Sequence, residues 1–188
     1  MTSRTNAGVV CASVQAGLLL LWSQYASSAD LPTQSCDTSR YALSTPTTRF
    51  EDHADGTVTD TQSNLMWQRC SAGQRWAAGH CSGTPSLLSW AQALALAQSL
   101  NQSGTAFYND WRLPQIHELA GIAERQCRNP RVNLTVFPET PSADYWSFTS
   151  RDPAGLDDSA FMLSFGAEGV KYENRQAKHY VRLVRNGP

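Results

Sequence analysis

The sequence predicts an α+β domain in which two helices lie against a mostly antiparallel sheet, stapled by disulfides. Three observations carry that expectation. The periodicity runs strand, helix, helix, then strands, an order that segregates helices from an antiparallel sheet. Four cysteines, Cys36, Cys70, Cys81 and Cys127, remain once residues 1–29 are set aside as a signal peptide. The length fits one domain, and 41 % hydrophobic residues can fill a core.

The first residues read as an export signal. Arg4 supplies the early positive charge, an apolar run peaks at Leu18-Leu19-Leu20-Leu21, and Ser27-Ser28-Ala29 supplies small residues for cleavage after Ala29. A membrane span needs about 20 apolar residues, and Ser13, Gln15 and Ser23 interrupt this run. Cys11 follows Val10 rather than a small residue, which argues against a lipid anchor. The expectation is a periplasmic or secreted chain with no membrane insertion after cleavage.

Residues 30–49 are rich in Ser, Thr and Pro and predict an extended lead-in anchored by Cys36. A hairpin pattern starts from Phe50. Thr57-Val58-Thr59-Asp60 predicts a strand, residues 61–64 a turn with Asn64 at positive φ, and Leu65-Met66-Trp67-Gln68 the returning strand. Residues 86–100 predict the first helix, with Ser86 as N-cap and Trp90, Leu94 and Ala97 on its inner face. A second helix follows Pro114, with Gln115 at the cap, Glu118 as the return half of a capping box, and Ile116, Leu119 and Ala123 buried. Tyr145-Trp146-Ser147-Phe148-Thr149 predicts a strand. Residues 160–165 and 170–172 predict a hairpin around Gly166-Ala167-Glu168-Gly169. A closing strand over residues 180–185 sets Val181 and Leu183 against Arg182 and Val184.

Four cysteines in an oxidising compartment suggest two disulfides in one of three pairings. The segment between Cys70 and Cys81 holds Gly73, Gly79 and polar residues and reads as an irregular excursion, which leans towards Cys70–Cys81 and leaves Cys36–Cys127. His80 adjoins Cys81, but no second close pair exists, so zinc is not expected. With Arg4 removed, 14 basic and 16 acidic residues leave a net charge of −2. That balance gives no nucleic-acid footprint and no membrane-surface patch.

An ordered set of motifs carries a resemblance. Asp55-Gly56-Thr57-Val58-Thr59-Asp60 and Leu65-Met66-Trp67-Gln68 precede Asp110-Trp111-Arg112-Leu113-Pro114 with Glu118-Leu119. Phe137-Pro138, Tyr145-Trp146-Ser147, Phe165-Gly166 and Tyr180-Val181-Arg182-Leu183-Val184-Arg185 complete it. Residues 50–186 so resemble the family named for the C-terminal domain of the Legionella collagen-like protein. The resemblance implies a C-type-lectin-like fold, in the same broad group as the formylglycine-generating enzymes, and an exported, adhesin-like role. Its founder binds sulfated glycosaminoglycans. The spacing of Cys70 and Cys81 resembles a common subgroup and favours the pairing above. The founder's collagen-like stalk has no counterpart in this sequence, and the charge of −2 matches an anionic ligand poorly overall.

Catalytic and metal chemistry find little support. Asn109-Asp110-Trp111 invites comparison with lectin calcium motifs, but the six to eight oxygens that calcium takes are not gathered by a paired Glu-Pro-Asn or Gln-Pro-Asp segment. Asp110 is expected to hold a loop instead, and Arg112 with Glu118 to form a structural ion pair. His53, His80, His117 and His179 are scattered, and no nucleophile elbow is present. Formylglycine-generating enzymes need redox-active cysteines near the C-terminus, whereas these cysteines end at Cys127. The expectation is therefore no enzyme, no cofactor and no metal.

What remains is binding. Trp67, Trp90, Trp111 and Trp146 sit in motifs or on apolar faces and are expected in the core. Trp76, between Gly73 and Gly79, is the tryptophan expected to face a ligand, with Arg75 beside it. Two loops qualify as binding segments, residues 71–84 and 151–159, since loops on a rigid scaffold usually carry function. The expected function is an exported lectin-like binding module engaging a glycan or cell-surface partner. The alternative is an assembly component of an envelope or pilus system that binds only protein.

Overall fold

The computed structural model describes residues 33–103, 108–152, 157–166 and 169–188. The segment expected to be a signal peptide lies outside the described residues, as do residues 153–156 of the second candidate loop. The chain is α+β, with β1 (Ser35–Cys36), β2 (Phe50–Asp52), β3 (Thr57–Asp60), β4 (Leu65–Gln68), β5 (Arg75–Ala77) and β6 (His80–Ser82) before the helices. Helices α1 (Trp90–Gln102) and α2 (Ile116–Gly121) follow. The chain then forms β7 (Cys127–Arg128), β8 (Asp144–Ser150), β9 (Ser159–Ser164), β10 (Gly169–Asn174) and β11 (Val184–Asn186). The sheets run β11-β4-β3-β2 and β10-β9-β8, with the small ribbons β1-β7 and β5-β6, and every named pair is antiparallel.

The β3–β4 hairpin forms as its sequence predicts, with Asn64 at φ 53°. The Asp60 carboxylate accepts from the Gln62 N–H and the Ser63 hydroxyl in that turn, and Arg49 grips it at 2.5 and 2.6 Å. Burial alone would raise the Asp60 carboxyl, but these hydrogen bonds and the Arg49 charge hold it below its usual range.

Several sequence expectations are corrected. Helix α1 starts later than expected, at Trp90, with Ser89 rather than Ser86 as N-cap. The Ser89 hydroxyl accepts from the Gln92 N–H at 3.3 Å, and the Gln92 side chain accepts from the Ser89 N–H at 2.9 Å. This reciprocal box outcompetes Ser86, whose N–H is taken by the Ala72 carbonyl. Residues 75–82 are not irregular but form the β5–β6 ribbon. The closing strand is short, because only residues 184–186 pair with β4.

The last correction reveals how the core is built. Val181, Arg182, Leu183 and Val184 are all fully buried, so no solvent face exists there. One core cluster holds Leu65, Trp67, Leu119, Tyr145, Leu163 and Val184, and the other Met66, Ala93, Ala97, Trp146, Met162 and Leu183. Neighbouring residues of β4, β8 and β9 thus enter opposite clusters, as the alternation of a strand requires when both faces are covered. Helix α2 covers one side through Leu119, and α1 the other through Ala93 and Ala97. Ala123, expected on the second helix, lies beyond its end, and Ile122 is the buried residue there.

The disulfides are Cys36–Cys127 and Cys70–Cys81. The first joins β1 to β7, and the second ties the β5–β6 ribbon to the end of β4. Two such bridges suit an oxidising, extracytoplasmic compartment. Among the described residues, no helix is long and apolar enough to cross a membrane.

Candidate functional site

The segment after β4 organises a cleft. Arg69 is nearly buried, donating from Nε to the Val136 carbonyl and from Nη2 to the Thr135 carbonyl, each at 2.9 Å. Its Nη1 reaches Asp52 at 2.7 Å. Its guanidinium lies 4.0 Å from the centre of the Trp76 ring, a cation–π contact that pins the indole from one side. Gly56, at φ 92°, lets the chain pass under Trp76, since a β-carbon there would lie 2.6 Å from the Trp76 β-carbon.

Trp76 is therefore a half-buried, clamped aromatic forming one wall of a cleft of about 410 Å³. The floor and opposite wall come from Asp55, Gln68, Ser71, Gln74, Leu96, Leu100, Tyr108 and Trp111. Asn101 fixes Trp111 by two hydrogen bonds to its backbone, accepting from the N–H at 2.8 Å and donating to the carbonyl at 2.9 Å. Tyr108 packs edge-on against Trp111, under the guanidinium of Arg185. Asp110 pairs with Arg185 at 2.5 Å, so it serves this wall by bridging to β11.

The cleft is amphipathic and uncharged apart from Asp55. One Asp55 oxygen accepts from the Thr57 N–H and hydroxyl at 2.8 and 2.6 Å. Among the described residues, the side-chain amide of Gln68 and the Gln74 Nε2 have no protein partner. Such a surface offers aromatic faces and neutral amides, which suits a polyhydroxylated ligand better than an ion. Arg75 stands beside Trp76 on β5 but is exposed and does not line the cleft. Gln68 and Trp111 line it although their motifs are expected to serve folding alone, and Tyr108 lines it although the sequence does not single it out. Short-range patterns hide them, because the sequence does not show which distant residues meet across a cleft.

Beneath the cleft lies a buried polar knot. Arg182 is fully buried; it donates to the Gln68 carbonyl at 3.0 Å, closely to the Arg69 carbonyl, and to the Thr140 hydroxyl at 2.7 Å. Its guanidinium lies over the Phe137 ring at 4.7 Å, and burial pushes its pKa down. The hydroxyls of Ser71 and Tyr145 share a 2.6 Å bond beside it. The carbonyls that Arg182 holds belong to residues flanking the cleft, so the knot sets the position of Gln68 and Arg69.

Arg112 and Glu118 form the expected ion pair, two-pronged at 2.7 Å on each side. Burial would raise the Glu118 carboxyl, but the Arg112 hydrogen bonds, the Gln115 N–H and the Arg112 charge together hold it low. The same carboxylate accepts from the Gln115 N–H and so starts α2. Among the described residues, no group of three or more His, Cys, Asp or Glu could hold a metal ion. Comparison with curated proteins yields no match. A protein-family sequence model does match residues 56–185, and on that match the chain belongs to the Lcl C-terminal domain family.

Proposed function

We propose that this protein is an exported, lectin-like binding module, with a fold related to C-type lectins, that engages a neutral glycan in the Trp76–Trp111 cleft without catalysing a reaction. The observation that carries the reading is the clamped indole. Arg69 prepays the ordering of Trp76, which reduces the entropy lost when a ligand stacks on it. Free amides from Gln68 and Gln74 beside aromatic walls supply the hydrogen bonds that orient hydroxyl groups. The test is a glycan array on the oxidised, signal-free protein. Trp76→Ala and Gln68→Ala should abolish the signal, whereas Arg75→Ala should alter it less, since Arg75 stands outside the cleft. An array without hits, or hits unchanged by Trp76→Ala, would refute the reading.

A second reading, an envelope or pilus component that binds only protein, has its own observation. Phe148, Val170 and Tyr172 are 46–53 % exposed on β8 and β10. Capture of an envelope protein that is lost on Phe148→Ser with Tyr172→Ser, but kept on Trp76→Ala, would favour it.

A further inference from the structure

A separate cavity of about 310 Å³ is lined by Tyr41, Arg125, Arg128 and Arg131, and shares no residue with the cleft. Its frame is built around Cys36–Cys127. Ser35 pairs with Arg128 and Cys36 with Cys127 across the β1–β7 ribbon. The Asp37 N–H donates to the Gln126 carbonyl, and the Gln126 side chain donates to the Tyr41 carbonyl at 2.7 Å. The Arg131 N–H is held by the Phe165 carbonyl. The lead-in and the stretch around β7 thus present their side chains from one tied platform.

The charge of this platform is unmatched. Among the described residues, none of the guanidinium groups of Arg125, Arg128 and Arg131 has a carboxylate or hydrogen-bond acceptor as partner. Two described acids close in sequence to the lining residues, Glu124 and Asp37, are already engaged. Glu124 accepts from the backbone of Ser44, Thr45 and Gln126 and from the Thr45 hydroxyl. One Asp37 oxygen accepts from Ser39 and from the Arg40 N–H. Several arginines elsewhere do have a carboxylate partner, Arg49 with Asp60, Arg69 with Asp52, Arg112 with Glu118 and Arg185 with Asp110. Three unpaired cations sharing one cavity repel one another, and an anion between them relieves that repulsion.

We propose that Tyr41, Arg125, Arg128 and Arg131 form a site for a phosphate group, carried as a phosphomonoester or as the free anion. Each guanidinium offers a planar fork of N–H donors. A phosphomonoester presents three acceptor oxygens and a charge of about −1.5 to −2 at neutral pH, so it can engage all three forks. A carboxylate offers fewer oxygens and is satisfied by one fork. A sulfate ester matches the oxygens but carries less charge. Tyr41, 44 % exposed, adds an aromatic face at the rim, suited to a sugar bearing the phosphate. The phosphate comes from a phosphorylated saccharide or from free inorganic phosphate. The inference does not rest on the glycan reading of the cleft.

The test is titration calorimetry on the oxidised, signal-free protein at low salt with inorganic phosphate, glucose 6-phosphate, glucose 6-sulfate and glucose. Both phosphate compounds should bind, the sulfate ester more weakly, and glucose should not bind at this site. Tighter binding of glucose 6-phosphate than of phosphate identifies the source as a sugar phosphate; equal binding identifies it as the free anion. Affinity should rise between about pH 5 and pH 7 as the second phosphate proton leaves near a pKa of about 6. Arg125→Gln and Arg128→Gln alter exposed side chains and should each weaken binding about tenfold, while Trp76→Ala leaves it unchanged. Absence of phosphate binding, binding undiminished in the double Arg125→Gln, Arg128→Gln variant, or a sulfate ester binding as tightly as the phosphate would overturn the proposal.

Discussion

At the scale of single residues, two tryptophans in one cleft have opposite duties. Trp111 is 4 % exposed and held by Asn101, so Trp111→Ala should cost about 3–5 kcal/mol and unfold the domain at moderate temperature. Trp76 is only half-buried, and Trp76→Ala should lower the melting temperature little while removing the cleft's aromatic wall. Thermal melts of the two variants check this, and the reverse order would mean that core and site have been exchanged. Glu124 provides the pH test. Burial would raise its carboxyl, but hydrogen bonds from the Gln126, Ser44 and Thr45 amides and the Thr45 hydroxyl bring it down to about 2. The unfolded chain binds its proton near 4.5. The stabilisation is therefore fully present above that value and is lost as pH falls towards about 2. Glu124→Gln should cost about 2–3 kcal/mol at neutral pH and flatten the acid limb of a denaturation profile measured from pH 6 to pH 2.

At the scale of elements, turns and bridges decide what can change. Gly169 opens β10 at φ 75°, and a β-carbon there meets only the Arg131 Nη1 at 3.9 Å. Space is available, so the cost of Gly169→Ala is the backbone's own, about 1–2 kcal/mol for an L-residue held left-handed. Gly166 carries no such φ, and a β-carbon there stays 3.3 Å from the Ser142 carbonyl oxygen. Gly166→Ala should cost less, as urea denaturation of the pair would read out. The disulfides divide by loop length. Cys36–Cys127 spans 91 residues and Cys70–Cys81 spans 11. On the chain-entropy model they stabilise by about 4–5 and about 3 kcal/mol. Replacing the first pair with serine should lower stability more and should also abolish phosphate binding at the tied platform. Replacing the second should loosen the ribbon that carries Trp76, and calorimetry on the two variants separates these effects.

At the scale of the whole molecule, what was legible in the sequence was local. The β3–β4 hairpin, with its Asn64 turn, is written in period-two alternation and in a residue that tolerates positive φ. The Arg112–Glu118 pair and the start of α2 lie within seven residues of one another, and the family rests on motifs read in order. Two helices, antiparallel pairing and the even cysteine count follow from the same short-range grammar. Tertiary structure decided what depends on the far side of a face. The residues of 181–184 alternate as a half-exposed strand would, yet all are buried, because helices and loops distant in sequence cover both faces of the sheet. Ser86 and Ser89 are equivalent as caps until the Ala72 carbonyl claims the Ser86 amide. Trp76 could be singled out by its loop, but its clamp by Arg69, and the partnership of Gln68, Tyr108 and Trp111 across the cleft, arise only when β4, α1 and the ribbon meet. The same holds for Arg125, Arg128 and Arg131. A net charge of −1 over the full sequence conceals them, because sequence sums charge along a chain whereas the fold decides which charges share a cavity and which find a partner.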